Sequence, residues 1–131
     1  MKIIRKILEL NAPPEEVYQL LMDSKLHGEF TQSTAVIGKR EGDSFQAYDG
    51  YIHGKNIKLV MGKRIVQSWI AEEDKWPKGH SSTVTFEFEK TATGTSMTFV
   101  HSGIPDELYE NLKEGWEEYY FTPMKNFLKK K

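Results

Sequence analysis

The chain has 131 residues, 18 of them Lys or Arg and 19 Asp or Glu, for a formal net charge of −1. That length fits one domain able to bury roughly two-thirds of its unfolded surface, and the even charge argues against a nucleic-acid partner, which asks for a basic stripe. With no cysteine, disulfides, thiolate nucleophiles, zinc–thiolate sites and iron–sulfur clusters are excluded.

Residues 2–10 read as a strand whose alternation is broken by Ile3-Ile4 and Ile7-Leu8. The same stretch is interrupted by Arg5, Lys6 and Glu9, so it does not form the apolar core of a signal peptide. No window reaches the roughly 20 apolar residues of a membrane span, and a cytoplasmic location is expected. Asn11 to Pro14 starts a helix, because proline is tolerated in the first turn, where its missing N–H has no intrahelical partner. Glu15 and Glu16 suit the positive end of that helix. Val17, Leu20 and Leu21 carry its apolar stripe to about Met22, and a short second helical turn follows through His27.

The middle of the chain predicts strand after strand. Thr31 to Ile37 is a weak first candidate. The next opens at Gly42-Asp43 and carries Phe45 and Ala47 on one face. Asp49-Gly50 is a hairpin signal, since tight turns favour positive φ there. Tyr51 to Met61 places Ile57, Leu59 and Met61 in period two, Gly62-Lys63 turns the chain, and Ile65 and Trp69 share a face of the following strand. A loop from Glu72 to His80 contains Trp76-Pro77-Lys78-Gly79. Val84, Phe86 and Phe88 then alternate with Thr85, Glu87 and Glu89. After the turn at Thr93-Gly94, Thr95, Met97, Phe99 and His101 fall on one face. Consecutive strands joined by short turns imply an antiparallel meander.

Pro105-Asp106-Glu107 starts a helix that runs to about Lys129. Leu108, Leu112, Trp116, Tyr119 and Tyr120 mark its apolar face, continued by Pro123, Met124 and Phe127. Pro123 is expected to bend it. Gly115, at the edge of that face, costs about 1 kcal/mol against Ala, so it either permits close packing or leaves room for something else. The tail Lys129-Lys130-Lys131 reads as a solvated helix end, with a weak basic anchor as the alternative. The predicted class is α+β: a curved antiparallel sheet of six or seven strands around a long C-terminal helix, with one or two short helices after the first strand. Residues 1–131 form a single domain in this reading. A curved sheet gripping one helix tends to leave a cavity between them.

Chemistry-bearing motifs are sparse. There is no GxGxxG, no GxSxG, and Gly62-Lys63-Arg64 lacks the upstream glycine of a phosphate loop. His27, His53, His80 and His101 show no metal-binding spacing, and no metal or cofactor is expected. His101, in phase with Met97 and Phe99, has three readings: a buried neutral imidazole, a ligand contact, or a general base lacking a nameable nucleophile. Trp116 reads as core or cavity wall. Trp76 reads as a loop pin or a partner contact. The Glu-rich outer face of the last helix reads as solvated, or as a docking face for a basic partner. No catalytic constellation emerges. The candidate cavity residues are Phe45, Trp69, Phe86, Met97 and Phe99 from the sheet, and His101, Leu112, Gly115, Trp116 and Tyr119 around the helix.

The order of elements resembles the START-like, or helix-grip, superfamily. The motifs narrow this further. Asn11-Ala12-Pro13-Pro14-Glu15-Glu16-Val17-Tyr18 is similar to the first-helix signature of the family named for the activator of the heat-shock protein 90 ATPase. So are Asp49-Gly50 with Gly54, Leu59-Val60 before Lys63, and Ile65-Val66 with Trp69. Trp76-Pro77 with Gly79-His80, and Gly115-Trp116 before Tyr119-Tyr120-Phe121, complete a resemblance covering about residues 5 to 128. In the eukaryotic co-chaperone of that family the module follows a separate N-terminal domain that carries much of the chaperone contact; this chain is read as lacking it. Three expectations follow: a non-enzymatic module binding a small apolar ligand, a co-chaperone-like regulator of a heat-shock protein 90 ATPase, and, more distantly, a cyclase- or hydrolase-type enzyme. The resemblance supplies no shared catalytic residues.

Overall fold

A computed structural model describes residues 1–129. The basic tail at Lys130 and Lys131 lies outside the described residues. Seven strands form one antiparallel sheet in the order β1-β7-β6-β5-β4-β3-β2. They are β1 (Lys2–Leu10), β2 (Val36–Ile37), β3 (Ser44–Ala47), β4 (Ile52–Val60), β5 (Arg64–Ala71), β6 (Ser82–Thr91) and β7 (Gly94–Ile104). Strands β2 to β7 follow the chain as a meander, and β1 closes onto β7.

Alternation puts Val84, Phe86 and Phe88 of β6 and Thr95, Met97, Phe99 and His101 of β7 on the buried face. Phe86 and Phe99 are cross-strand partners, with ring centroids 5.4 Å apart. The doublets of β1 resolve cleanly: Ile4 and Leu8 are buried, whereas Ile3 and Ile7 are exposed. Strand β4 departs from expectation. Its register against β5 shifts between Asn56 and Lys58, so Ile57 is the extra residue of a bulge. Before the bulge, Ile52 and Asn56 face inward; beyond it, Leu59 packs against the core opposite Ile65. Ile57 and Met61, predicted to share a face with Leu59, are exposed instead.

Helix α1 spans Pro14–Met22, as predicted. Helix α2 is longer than the predicted turn to His27 and spans Ser24–Thr31. Asp23 caps it by accepting from the Leu26 N–H at 3.0 Å. Such a cap satisfies a helix-end donor that has no intrahelical partner.

The C-terminal helical segment is not uniform. It opens as a 3-10 turn at Asp106–Leu108, continues as α3 (Tyr109–Trp116), widens into a π-turn at Glu117–Phe121, and ends as α4 (Thr122–Lys129). The π-turn precedes Pro123, which has no N–H to offer the Tyr119 carbonyl four residues back. The Thr122 N–H reaches five residues back to Glu117. One residue is thereby added to the turn, and the apolar face shifts by one position after Trp116. Phe121 and Leu128 are buried with Tyr120 and Met124, whereas Tyr119 is 53% exposed. Tyr119, Pro123 and Phe127, assigned to the buried face by α-periodicity, sit at its rim.

Candidate functional site

Trp116 is the hub where the helix meets the sheet. It is buried, with its ring 4.5 Å from Phe99 and 6.2 Å from Phe86, centroid to centroid. Its indole N–H donates to His101 Nδ1 at 3.0 Å. Because Trp can only donate, Nδ1 must accept, and the ring proton belongs on Nε2. That proton points to Ser82 Oγ at 2.7 Å, and the Ser82 hydroxyl donates onward to the Trp69 carbonyl at 3.0 Å. The chain Trp116 → His101 → Ser82 → Trp69 admits one neutral tautomer and leaves no ring nitrogen free. Burial lowers the His101 pKa to about 3. This arrangement matches the buried neutral imidazole among the three readings of His101. As a base it has no accessible substrate, since the residue is fully buried.

His27, which carried no motif, forms a second such anchor. Its Nδ1 donates to the Leu21 carbonyl at 3.0 Å, and its Nε2 accepts from the Tyr120 hydroxyl at 2.9 Å. Burial lowers its pKa to about 4, against the opposing pull of the Leu21 carbonyl. Burial also raises the pKa of Tyr120. The only sequence signal for this role is its place in a short helix followed by Phe30, whose ring lies 5.0 Å away.

On its other side Trp116 borders a cavity of about 420 Å³ between the helix and the β3–β5 end of the sheet. That volume falls within the usual range for small-molecule pockets, roughly 300–1,000 Å³. Of the ten sequence candidates, Trp69, Leu112, Gly115, Trp116 and Tyr119 line it. Phe45, Phe86, Met97, Phe99 and His101 do not; all five are core residues. Phe86 borders a separate void of only about 20 Å³, and Phe45 borders both that void and a separate groove of about 540 Å³ lined mainly by residues of β2 to β5. The helix supplies the cavity's outer wall, where Leu108, Leu112 and Trp116 recur at steps of four.

Residues from the sheet end complete the wall, and sequence reasoning missed them: Tyr48, Tyr51, Ile52, Ala71 and Glu73. The local chain explains the placement of Tyr48. Tyr48, Asp49 and Gly50 all adopt left-handed backbone, with φ of 50°, 57° and 91°. This three-residue turn replaces the predicted two-residue hairpin. A left-handed conformation costs a non-glycine residue about 1–2 kcal/mol. It is compensated by the Tyr48 hydroxyl, which donates to the Tyr119 carbonyl at 2.6 Å, the acceptor that Pro123 leaves without its α-helical donor. Burial pushes the Tyr48 pKa up to about 12, with Tyr119 adding to the shift. Trp76 is buried, lies 5.7 Å from Trp69 with the two rings tilted by 58°, and donates to the His80 carbonyl at 2.7 Å, which pins the loop before β6.

Among the described residues, no group of three or more His, Asp or Glu side chains is placed to hold a metal ion. No helix among them is long and apolar enough to cross a membrane.

The comparisons with known proteins agree with this architecture. The chain aligns at 33% identity over 112 residues with the human activator of 90 kDa heat shock protein ATPase homolog 1, covering 86% of this chain and 32% of the relative. The Dictyostelium discoideum activator of 90 kDa heat shock protein ATPase homolog is 33% identical over 119 residues, covering 90% of this chain and 30% of the relative. The chain thus spans about a third of the length of these curated relatives. Among solved structures, an HSP90 activator from Plasmodium falciparum superimposes with a TM-score of 0.88 at 23% identity, over 97% of this chain and 96% of that one. The Aha1 dimer from Colwellia psychrerythraea gives 0.83 at 18% identity, over 98% and 96%. These likenesses establish a shared helix-grip fold. With the family model for the activator of Hsp90 ATPase homolog 1-like protein matching residues 11–129, the chain belongs to that family.

Proposed function

We propose that this protein acts as a co-chaperone-like regulator of an ATPase of the heat-shock protein 90 class. Family membership across residues 11–129 carries the reading, and relatives that share about a third of its residues are named as activators of that ATPase. Fold alone would not support it, because one fold hosts many functions. The test is a steady-state ATPase assay on a purified chaperone of that class. Turnover should rise saturably as this protein is added. Unchanged turnover, with no complex detectable by sedimentation, would overturn the proposal.

A second reading rests on a separate observation, the cavity beside Trp116. In it the module holds a small, largely apolar molecule between helix and sheet. Native mass spectrometry of the purified protein would reveal an added mass that disappears on denaturation. Uptake of no apolar probe at all would remove this reading and leave the ATPase proposal standing.

A further inference from the structure

The cavity wall has a particular chemistry. Tyr48, Tyr51, Trp69, Trp116, Tyr119 and Tyr120 all contribute to it. Several of these rings meet at steep angles: Tyr48 lies at 73° to Tyr119 and 76° to Tyr120, each pair 5.8 Å apart. Near-perpendicular rings form adjoining walls of a box, whereas parallel rings form a stack. The only acidic or basic residue among those lining the cavity is Glu73. Its carboxylate accepts from the Tyr51 hydroxyl at 3.2 Å, which holds it beside an aromatic wall. No Lys, Arg or His lines the space, so an anionic ligand would be desolvated without a counter-charge. Aromatic faces carry partial negative charge and attract cations, and quaternary ammonium groups are bound by such cages. The left-handed Tyr48 adds an independent pointer. Backbone strain of this kind tends to cluster where a side chain is held for binding, and here it delivers Tyr48 to the wall.

We infer that the cavity beside Trp116 selects a free organic cation, an alkylated ammonium head on an apolar body. This rests on the ligand-binding reading and specifies its ligand. The head group sits among the tyrosines near Glu73, and the apolar body runs along Leu112 and Trp116.

The experiment compares three probes of equal chain length well below micelle formation: decyltrimethylammonium, decanol and decyl sulfate. Binding is followed by calorimetry and by tryptophan fluorescence. Decyltrimethylammonium should bind about tenfold tighter than decanol, and decyl sulfate weakest. Glu73→Gln and Tyr119→Leu change half-buried and exposed positions, so the fold should survive, as circular dichroism would check. Each should lower the ratio of decyltrimethylammonium to decanol affinity several-fold, and an unchanged ratio would overturn the cation inference. Equal affinity for all three probes would overturn the cation inference and leave the ligand-binding reading intact. Binding of none would overturn both. Vesicles of phosphatidylcholine carry the same head group; cosedimentation with them in place of uptake of the soluble cation would overturn the assignment to a free molecule.

Discussion

Trp116 divides the helix–sheet interface into two regions of opposite character. On one side lie Phe86, Phe99, Phe121 and His101, buried and closely packed, with the polar atoms of His101, Ser82 and the indole paired in a closed chain. On the other side lies the cavity, bordered by Gly115, Leu112, Tyr119 and the strained turn at Tyr48. The same indole serves both. The contrast teaches that close packing and open space are separately located along one helix. The packed side fixes where the helix sits through buried rings and paired polar atoms.

The largest test of this contrast is Trp116→Ala. It removes a buried indole that touches both regions, and should cost about 3–5 kcal/mol in a denaturant melt. A loss below 1 kcal/mol would mean that the packed side does not anchor the helix.

The next test uses pH. His27 and His101 are neutral in the folded state because burial lowers their pKa values to about 4 and about 3. Their unfolded pKa is about 6.5. The unfolded chain therefore binds more protons below pH 6.5, and the folded state is favoured less as pH falls. The stability contributed by each neutral ring is complete above that pH and is lost progressively toward pH 3–4. From pH 7 to pH 5 each histidine should remove about 2 kcal/mol. His27→Asn should roughly halve the slope between those pH values. An unchanged slope would show that this ring protonates without unfolding the helix.

On the open side the expected effects are smaller and can differ in sign. A β-carbon built on Gly115 would meet only Tyr119 Cδ2, at 3.9 Å. Gly115→Ala should therefore stabilise by about 1 kcal/mol through helix propensity, while a longer side chain there should displace an apolar probe. A destabilised Gly115→Ala protein would place this glycine in the packed region. Tyr48→Phe is the mildest change. It removes one partly exposed hydrogen bond to Tyr119, worth about 0.5–1 kcal/mol. Thermal melts of this variant, read beside probe uptake, would show whether the tyrosine bond holds the cavity wall.

Much of the scaffold was legible from local pattern. Strict alternation in Thr83 to Lys90 and in Thr95 to His101 predicts the central strands, because a strand buried on one face repeats every two residues. Pro13-Pro14 marks the start of α1 and Pro105-Asp106 the start of the C-terminal helical segment. Family membership was legible from ordered short motifs. The cavity's helix wall, at Leu112, Gly115, Trp116 and Tyr119, also follows from the stripe on the last helix.

What the tertiary structure alone decided lies where one residue is added or where distant chain segments meet. The bulge at Ile57 and the π-turn at Glu117–Phe121 each shift the phase by one position. A fixed period cannot report such a shift, so Ile57 turns outward, Tyr119 moves to the rim, and Phe121 moves inward, while Met61 is exposed because it lies in the turn after β4. The pairings His27–Tyr120, Tyr48–Tyr119 and His101–Trp116 join residues 93, 71 and 15 positions apart. Local sequence specifies period and turn chemistry, which are short-range steric properties. Which polar atoms are buried together, and which ring faces an empty space, depends on how the sheet and helix close on each other.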